Sequence, residues 1–324
     1  NLGCTKGSEN EKILGQLLQT GNGGNGDIYT ENWTIGNLKE QFVVQIFKDK
    51  KNTLLALAKN ESKAEGIALG PVSPTHRTEE KYYALIIGNS EYEDKRIDDL
   101  IAPINDAKAL DNVLKTKYGF ETVLLLDANR EEIFDAMQDM SAKLSREDNL
   151  LIYYAGHGTY IQEQEQGYWL PIDADKSKRS KWINTQSIVS EVKLVEAKHI
   201  LLIVDSCFSG SLTKSSSTNK NLNIEKGDKK WERLKLKKAR WLISSGGTET
   251  VDDADGSGHS YFARKLIDTL RENESGQVLS SHNIYEPIFD YVINNSPVKQ
   301  TPERKIIIDT GHDGGDFLFF AKLE

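Results

Sequence analysis

The sequence predicts an α/β fold, doubly wound around a mostly parallel six-stranded sheet, with a small N-terminal extension in front of it. Three observations carry that prediction. From Tyr82 onward, six short runs are apolar at consecutive positions, as strands covered on both faces require. Between them lie stretches whose apolar residues recur at helical spacing, the alternation expected of strands joined by crossover helices. Hydrophobic residues make up 38% and charged residues 28% of 324 positions, ordinary globular usage that excludes collagen, wholesale disorder and a membrane bundle.

The extension covers residues 1–80. Gly21-Asn22-Gly23-Gly24-Asn25-Gly26 reads as a loop, and Pro71-Val72-Ser73-Pro74 as an extended linker. Between them, Phe42 to Phe47 suits a strand and Thr53 to Glu65 a short helix, which makes residues 1–80 a small α/β extension or prodomain. Leu2-Gly3-Cys4 followed by Thr5-Lys6-Gly7-Ser8 has the look of the end of a bacterial lipoprotein signal, with Cys4 as the lipidated residue. The other reading of Cys4 is an incidental cysteine in a frayed tail. The compartment therefore stays open between the cytoplasm and a lipid-anchored place in the cell envelope. No run approaches the ~18 apolar residues of a membrane span, so no transmembrane segment is expected.

In residues 81–324 the expected strands are Tyr82–Ile87, Thr122–Leu126, Leu150–Tyr154, Ile200–Val204, Trp241–Ile243 and Ile306–Ile308. Ala107, Leu110, Val113 and Leu114 fall at helical spacing, as do Ile133, Phe134, Met137, Met140 and Leu144; Tyr261–Leu270 and Ile284–Ile293 add two helices. One segment breaks the pattern. Residues 213–240 hold ten basic and three acidic side chains, inside a chain whose net charge is −8. Its first half, Lys214 to Asn221, is polar and flexible by composition, so the segment reads as a surface linker between 81–212 and 241–324.

Functional residues in such sheets collect just past the carboxyl ends of the strands. Two strands here run into loaded loops, Ala155-Gly156-His157-Gly158 and Asp205-Ser206-Cys207-Phe208-Ser209-Gly210. A thiol is a useful nucleophile as thiolate, and a neighbouring imidazole both lowers its pKa and can protonate a leaving amine. The glycines around His157 let a peptide backbone approach and leave N–H groups for an oxyanion. The plain alternative is a buried small cysteine and a surface histidine. Two cysteines are too few for a disulfide framework or a cysteine-rich zinc site, and no phosphate loop, GxGxxG or HExxH is present, so no metal or cofactor is expected. The negative balance gives no support for nucleic-acid binding, with Trp231 and Trp241 the only stacking candidates near the basic segment. His76, His199, His259 and His312 read as structural.

Tyr154-Ala155-Gly156-His157-Gly158 and Asp205-Ser206-Cys207-Phe208-Ser209-Gly210 resemble the two signature motifs of the caspase-like cysteine peptidases, closer to metacaspases and other prokaryotic members than to animal caspases. The spacing of 50 residues between His157 and Cys207 matches the caspase pattern. The likeness runs over about residues 82–320 and includes Ala84 to Asn89, Asn105-Asp106-Ala107 and His312 to Phe317. It implies a caspase-like α/β/α sandwich, His157 as general base and acid, Cys207 as nucleophile, and the N–H groups of Gly158 and Cys207 as oxyanion hole.

Animal caspases, which prefer aspartate, place a glutamine two residues before the cysteine; this chain has Asp205 there, and Asp106 matches a second acidic pocket residue of metacaspases. Buried carboxylates attract Lys or Arg before the scissile bond and repel Asp. A strand-end turn for Asp205 and a helix N-terminal carboxylate for Asp106 are the alternatives. The acidic loop Asp252, Asp253, Asp255 reads either as a cleft loop favouring basic substrate residues or as a solvated turn; its spacing departs from an EF-hand. The stretch Trp182 to Ser187 lacks the paired Asp of calcium-dependent metacaspases, so no calcium requirement is expected. The linker carries Lys214, Lys220, Lys226, Lys229, Lys230 and Arg233 beside a cleft of matching preference, hence expected self-cleavage, with a solvated insert as the alternative. The expected partners are protein or peptide substrates with Arg or Lys before the scissile bond, together with an activating ligand or partner by analogy with regulated execution and defence proteases. The competing functional class is a catalytically silent caspase-like interaction or sensing module.

Overall fold

The computed structural model describes the backbone of residues 28–35, 38–48 and 54–61, together with residues 80–207, 228–246 and 256–322. The chain divides into two compact units, Asn1–His76 and Arg77–Glu324. Cys4, the Gly21–Gly26 loop, the 71–74 linker and His76 lie outside the described residues.

In the first unit, β1 (Ile28–Ile35), β2 (Leu38–Lys48) and β3 (Leu54–Glu61) form an antiparallel sheet with β2 in the middle. The expected strand at 42–47 lies within β2. The expected helix at Thr53–Glu65 is instead β3, paired with β2 from Lys48↔Leu54 to Gln41↔Glu61. The helix-favouring Leu and Ala of this stretch are overridden by pairing that satisfies the backbone along the whole strand.

The second unit is built on β4 (Tyr82–Gly88), α1 (Pro103–Tyr118), β5 (Glu121–Leu126), α2 (Arg130–Lys143) and β6 (Asn149–Ala155). A small antiparallel sheet comes next, β7 (Gly158–Ile161), β8 (Gln166–Trp169) and β9 (Ile183–Asn184), leading into α3 (Thr185–Leu194) and β10 (His199–Asp205). The remainder comprises α4 (Asp228–Leu236), β11 (Ala239–Ser244), α5 (Tyr261–Glu272), β12 (Val278–Ser280), α6 (Ser281–Asn295), β13 (Glu303–Ile306) and β14 (Leu318–Phe320). The central sheet has the order β13-β11-β10-β6-β4-β5, parallel except for β13.

Alternate residues of each strand feed opposite faces. Ile86, Leu151, Tyr153 and Ile203 pack against Leu110 of α1, Phe262 and Leu266 of α5 and Ile288 of α6. Ile87, Ile152, Tyr154 and Val204 pack against Ile133 and Met137 of α2 and Ile188 and Val192 of α3. The result is an α/β/α sandwich with a mostly parallel six-stranded sheet. Helix ends obey local chemistry: Asn129 and Glu132 form a capping box at α2, Ser280 and Asn283 one at α6, and Ser260 Oγ accepts the Ala263 N–H at α5.

Two expectations need correction. The last strand of the sheet is Glu303–Ile306 rather than Ile306–Ile308, because antiparallel pairing with β11 selects the charged run and leaves Ile307 bonded to the Arg240 carbonyl. The basic segment is not a surface linker throughout. Residues 228–236 form α4, and the chain from Lys235 to Lys238 is built into the body. Lys235 pairs with Glu80, Lys237 lends its carbonyl to His199 Nε2 at 3.0 Å, and the Lys238 carbonyl accepts the Asp313 N–H at 2.9 Å.

Candidate active site

The two loaded loops leave neighbouring strands side by side. β6 and β10 pair in parallel with Ala155 opposite Asp205, so His157 and Cys207 each stand two residues beyond a paired position. The 50-residue spacing in the sequence is thus the register of the sheet. Beyond the last pair, the Gly156 N–H reaches the Asp205 carbonyl at 3.4 Å. Gly158 then lies directly against the other loop: a Cβ there would overlap the Cys207 carbonyl oxygen and Ser206 Oγ, so only glycine permits this approach. Cys207 is a partly exposed thiol outside any disulfide.

The imidazole is oriented by a backbone oxygen. His157 Nε2 lies 2.8 Å from the Asp98 carbonyl, which can only accept, so Nε2 carries the proton and Nδ1 is the basic nitrogen. Its backbone is pinned by two tyrosines. The His157 N–H donates to the Tyr92 hydroxyl at 2.7 Å, and the single Tyr154 O–H is shared between the His157 carbonyl at 2.9 Å and the Leu170 carbonyl at 3.0 Å. Tyr154 stacks on Trp169 at 4.2 Å, and its burial pushes the phenol well above its ordinary range, so it stays a donor. The loop bearing Tyr92 and Asp98 is fixed in turn by Asn89, which bonds both the N–H and the carbonyl of Ala128, and by Asp99, which accepts the Tyr92 N–H at 2.8 Å.

A second cluster joins this one through Asp205. Asp205 at the end of β10 and Asp106 on α1 are both buried and meet at Ser260, the cap of α5. The Ser260 hydroxyl donates to Asp205, and its N–H donates to Asp106 at 3.3 Å. His259 Nδ1 is 2.5 Å from the other Asp106 oxygen. The Tyr153 hydroxyl, fully buried, has no hydrogen-bond partner among the described residues and is pushed well up by burial and then by the charges of Asp106 and Asp205. The Ser244 and Ser245 hydroxyls at the end of β11 are likewise buried and have no partner among the described residues. Two carboxylates in such surroundings make a strong field for a cation.

The expected site residues therefore fall into place unevenly. His157, Gly158 and Cys207 come together on two strand ends, and Asp106 and Asp205 share Ser260. Asp252, Asp253 and Asp255 lie outside the described residues, as do Lys214, Lys220 and Lys226, while Lys229, Lys230 and Arg233 belong to α4. His199 is buried with Nδ1 2.6 Å from Asn149 Oδ1, and His312 Nδ1 accepts the Arg240 N–H at 3.1 Å. His259, read from the sequence as structural, contacts Asp106. Tyr92, the Asp98 carbonyl and Ser260 were not foreseen; the one available signal was Ser260 as a serine ahead of a helical apolar pattern. Among the described residues, no three His, Cys, Asp or Glu side chains are grouped to hold a metal ion, and no helix is long and apolar enough to cross a membrane.

A family model described as "Caspase domain" matches residues 81–306. The human mucosa-associated lymphoid tissue lymphoma translocation protein 1 is 31% identical over 127 residues, which is 38% of this chain and 15% of that protein. Its mouse homologue is 31% identical over 127 residues, 38% of this chain and 14% of that protein. The match thus spans a small part of the curated relatives' length. Among solved structures, caspase-1 from Spodoptera frugiperda superposes with a TM-score of 0.51 at 14% identity, covering 76% of this chain and 94% of that one. A protein from Geobacter sulfurreducens superposes with a TM-score of 0.50 at 18% identity, covering 75% of this chain and all of that one. These two likenesses concern the fold.

Proposed function

The chain belongs to the caspase-domain family, and from that premise we propose that it is a cysteine endopeptidase hydrolysing peptide bonds after Arg or Lys. The observation that carries the proposal is the convergence of two buried carboxylates, Asp106 and Asp205, on Ser260, with Asp205 only two residues before Cys207. A guanidinium or ammonium entering there replaces neutral donors with a full charge, and an acidic side chain is repelled.

In this reading His157 Nδ1 takes the Cys207 proton, with Nε2–H held on the Asp98 carbonyl, which also steadies the imidazolium that forms. The thiolate attacks the carbonyl carbon, and the N–H groups of Gly158 and Cys207 receive the oxyanion. Collapse expels the amine, which takes the proton from His157. Water, deprotonated by the same nitrogen, hydrolyses the thioester and restores the thiol. The basic segment is the natural first substrate, so self-processing belongs to the proposal, and a protease gated in this way suits a regulated execution or defence role. An Arg-based chloromethyl ketone tests the reading: stoichiometric labelling of Cys207, absent in Cys207→Ala, supports it, and no labelling under reducing conditions favours a silent module.

A further inference from the structure

The Asp106 carboxylate proposed to receive the substrate cation already has a partner that can carry a charge. His259 Nδ1 lies 2.5 Å from Asp106 Oδ1, with the Asp106 side chain 1% exposed and the imidazole 27% exposed. The ring thus spans the distance between solvent and the floor of the pocket. It is carried on a turn in which Gly256 and Gly258 both have φ of +87°, a conformation natural to glycine, and Asn105 Nδ2 donates to the Gly258 carbonyl at 3.2 Å, one residue before Asp106. The ring also lines a cavity of about 300 Å3, together with Ser257, Arg264, Ile267, Asp268 and Arg271, large enough to take an imidazole.

We infer that His259 is a proton-controlled gate of the specificity pocket: as imidazolium it occupies Asp106 in place of the substrate's guanidinium or ammonium, and as neutral imidazole it yields Asp106 to them. This inference rests on the reading of Asp106 as a pocket residue. The groups facing the ring decide the direction. Asp106 from α1 and, through Ser260, Asp205 from β10 favour the imidazolium in place; Tyr153 from β6 is neutral there. On the cavity side α5 presents Arg264 and Arg271, both paired with Asp268. Asp252, Asp253 and Asp255 of the preceding loop lie outside the described residues. The gate closes as pH falls and opens as it rises.

The size of the effect comes from the open fraction. A gate that is about nine-tenths closed at pH 5.5 and about nine-tenths open at pH 7.5 changes the apparent KM for Arg-ended peptides about tenfold between them.

Steady-state cleavage of an Arg-ended fluorogenic peptide by the full chain at pH 5.5 and 7.5 tests this, in wild type, His259→Ala, His259→Gln and His259→Lys. The expected result is a KM about tenfold higher at pH 5.5 in wild type, a KM ratio near one in the Ala and Gln variants, and a high KM at both pH values in the Lys variant. The titration of the Cys207–His157 pair is common to all four and cancels in the comparison. The same KM ratio in wild type and both neutral variants overturns the gate while leaving the Arg preference standing. Failure of wild type to cleave Arg- or Lys-ended peptides at either pH removes the pocket reading and the gate with it.

Discussion

His157 Nε2 and the Asp98 carbonyl oxygen lie 2.8 Å apart, a contact that assigns the imidazole proton without any second side chain. In the proposed mechanism a backbone carbonyl does the orienting, so no third ionisable residue is needed. It also ties the site to the conformation of the loop after β4, and the first prediction comes from the residue that anchors that loop to His157.

Tyr92→Phe removes the hydroxyl that accepts the His157 N–H at 2.7 Å and donates to the Leu170 carbonyl at 3.2 Å. Leaving a buried donor unpaired costs about 1–3 kcal/mol. The expected outcome is a lower thermal midpoint and a fall in kcat of about tenfold or more, from displacement of His157. A variant with wild-type kcat and midpoint would show that the tyrosine does not hold the loop.

Gly158→Ala places a methyl group where the Cys207 carbonyl and Ser206 Oγ already sit. Overpacking of this kind costs about 1–3 kcal/mol, and a shift of about 1 Å between the two loops costs about 100-fold in rate. Thermal unfolding and kcat/KM measured together check it. Wild-type kcat/KM in the variant would mean that the two loops are not held in register by this contact.

Stability depends on pH through His199. Burial pushes its imidazole down to about 4, against the opposing pull of Glu80. The unfolded chain binds a proton near pH 6.5 that the native ring refuses until about 4, so stability present above 6.5 is lost as pH falls towards 4. By pH 5 the loss is about 2 kcal/mol. Thermal midpoints at pH 7 and 5 should therefore fall more steeply in wild type than in His199→Gln; equal slopes would contradict the assignment.

Self-processing, if it obeys the proposed specificity, is confined to part of the basic segment. A protease binds its substrate extended, whereas Lys230 and Arg233 lie in α4, and Lys235 is paired with Glu80 and sits over the Phe320 ring. New termini are expected after Lys214, Lys220 or Lys226, read by intact mass of the fragments. Cutting after Lys230 or Arg233, or fragments that persist in Cys207→Ala, would sink this placement.

The strands that carry the site were legible because burial on both faces leaves a run such as Ile200–Val204 with no polar position to confuse it. The placement of His157 and Cys207 just beyond neighbouring strand ends was legible for the same reason, since each comes just after such a run. Other features left weaker marks. β7, β8 and β9 are two to four residues long, too short for periodicity. The Asp98 contribution is a carbonyl, which every residue possesses, and the role of Tyr92 depends on a contact 65 residues away along the chain. His259 reads as structural in the sequence, where its contact with Asp106, 153 residues distant, leaves no trace.

The central claim is cleavage after Arg or Lys by Cys207, and a peptide-library profile of purified wild type beside Cys207→Ala tests it most directly. Wild type should cleave almost wholly after Arg and Lys, and the variant should cleave nothing. Faster cleavage after Asp, or an unchanged profile in Cys207→Ala, would contradict it.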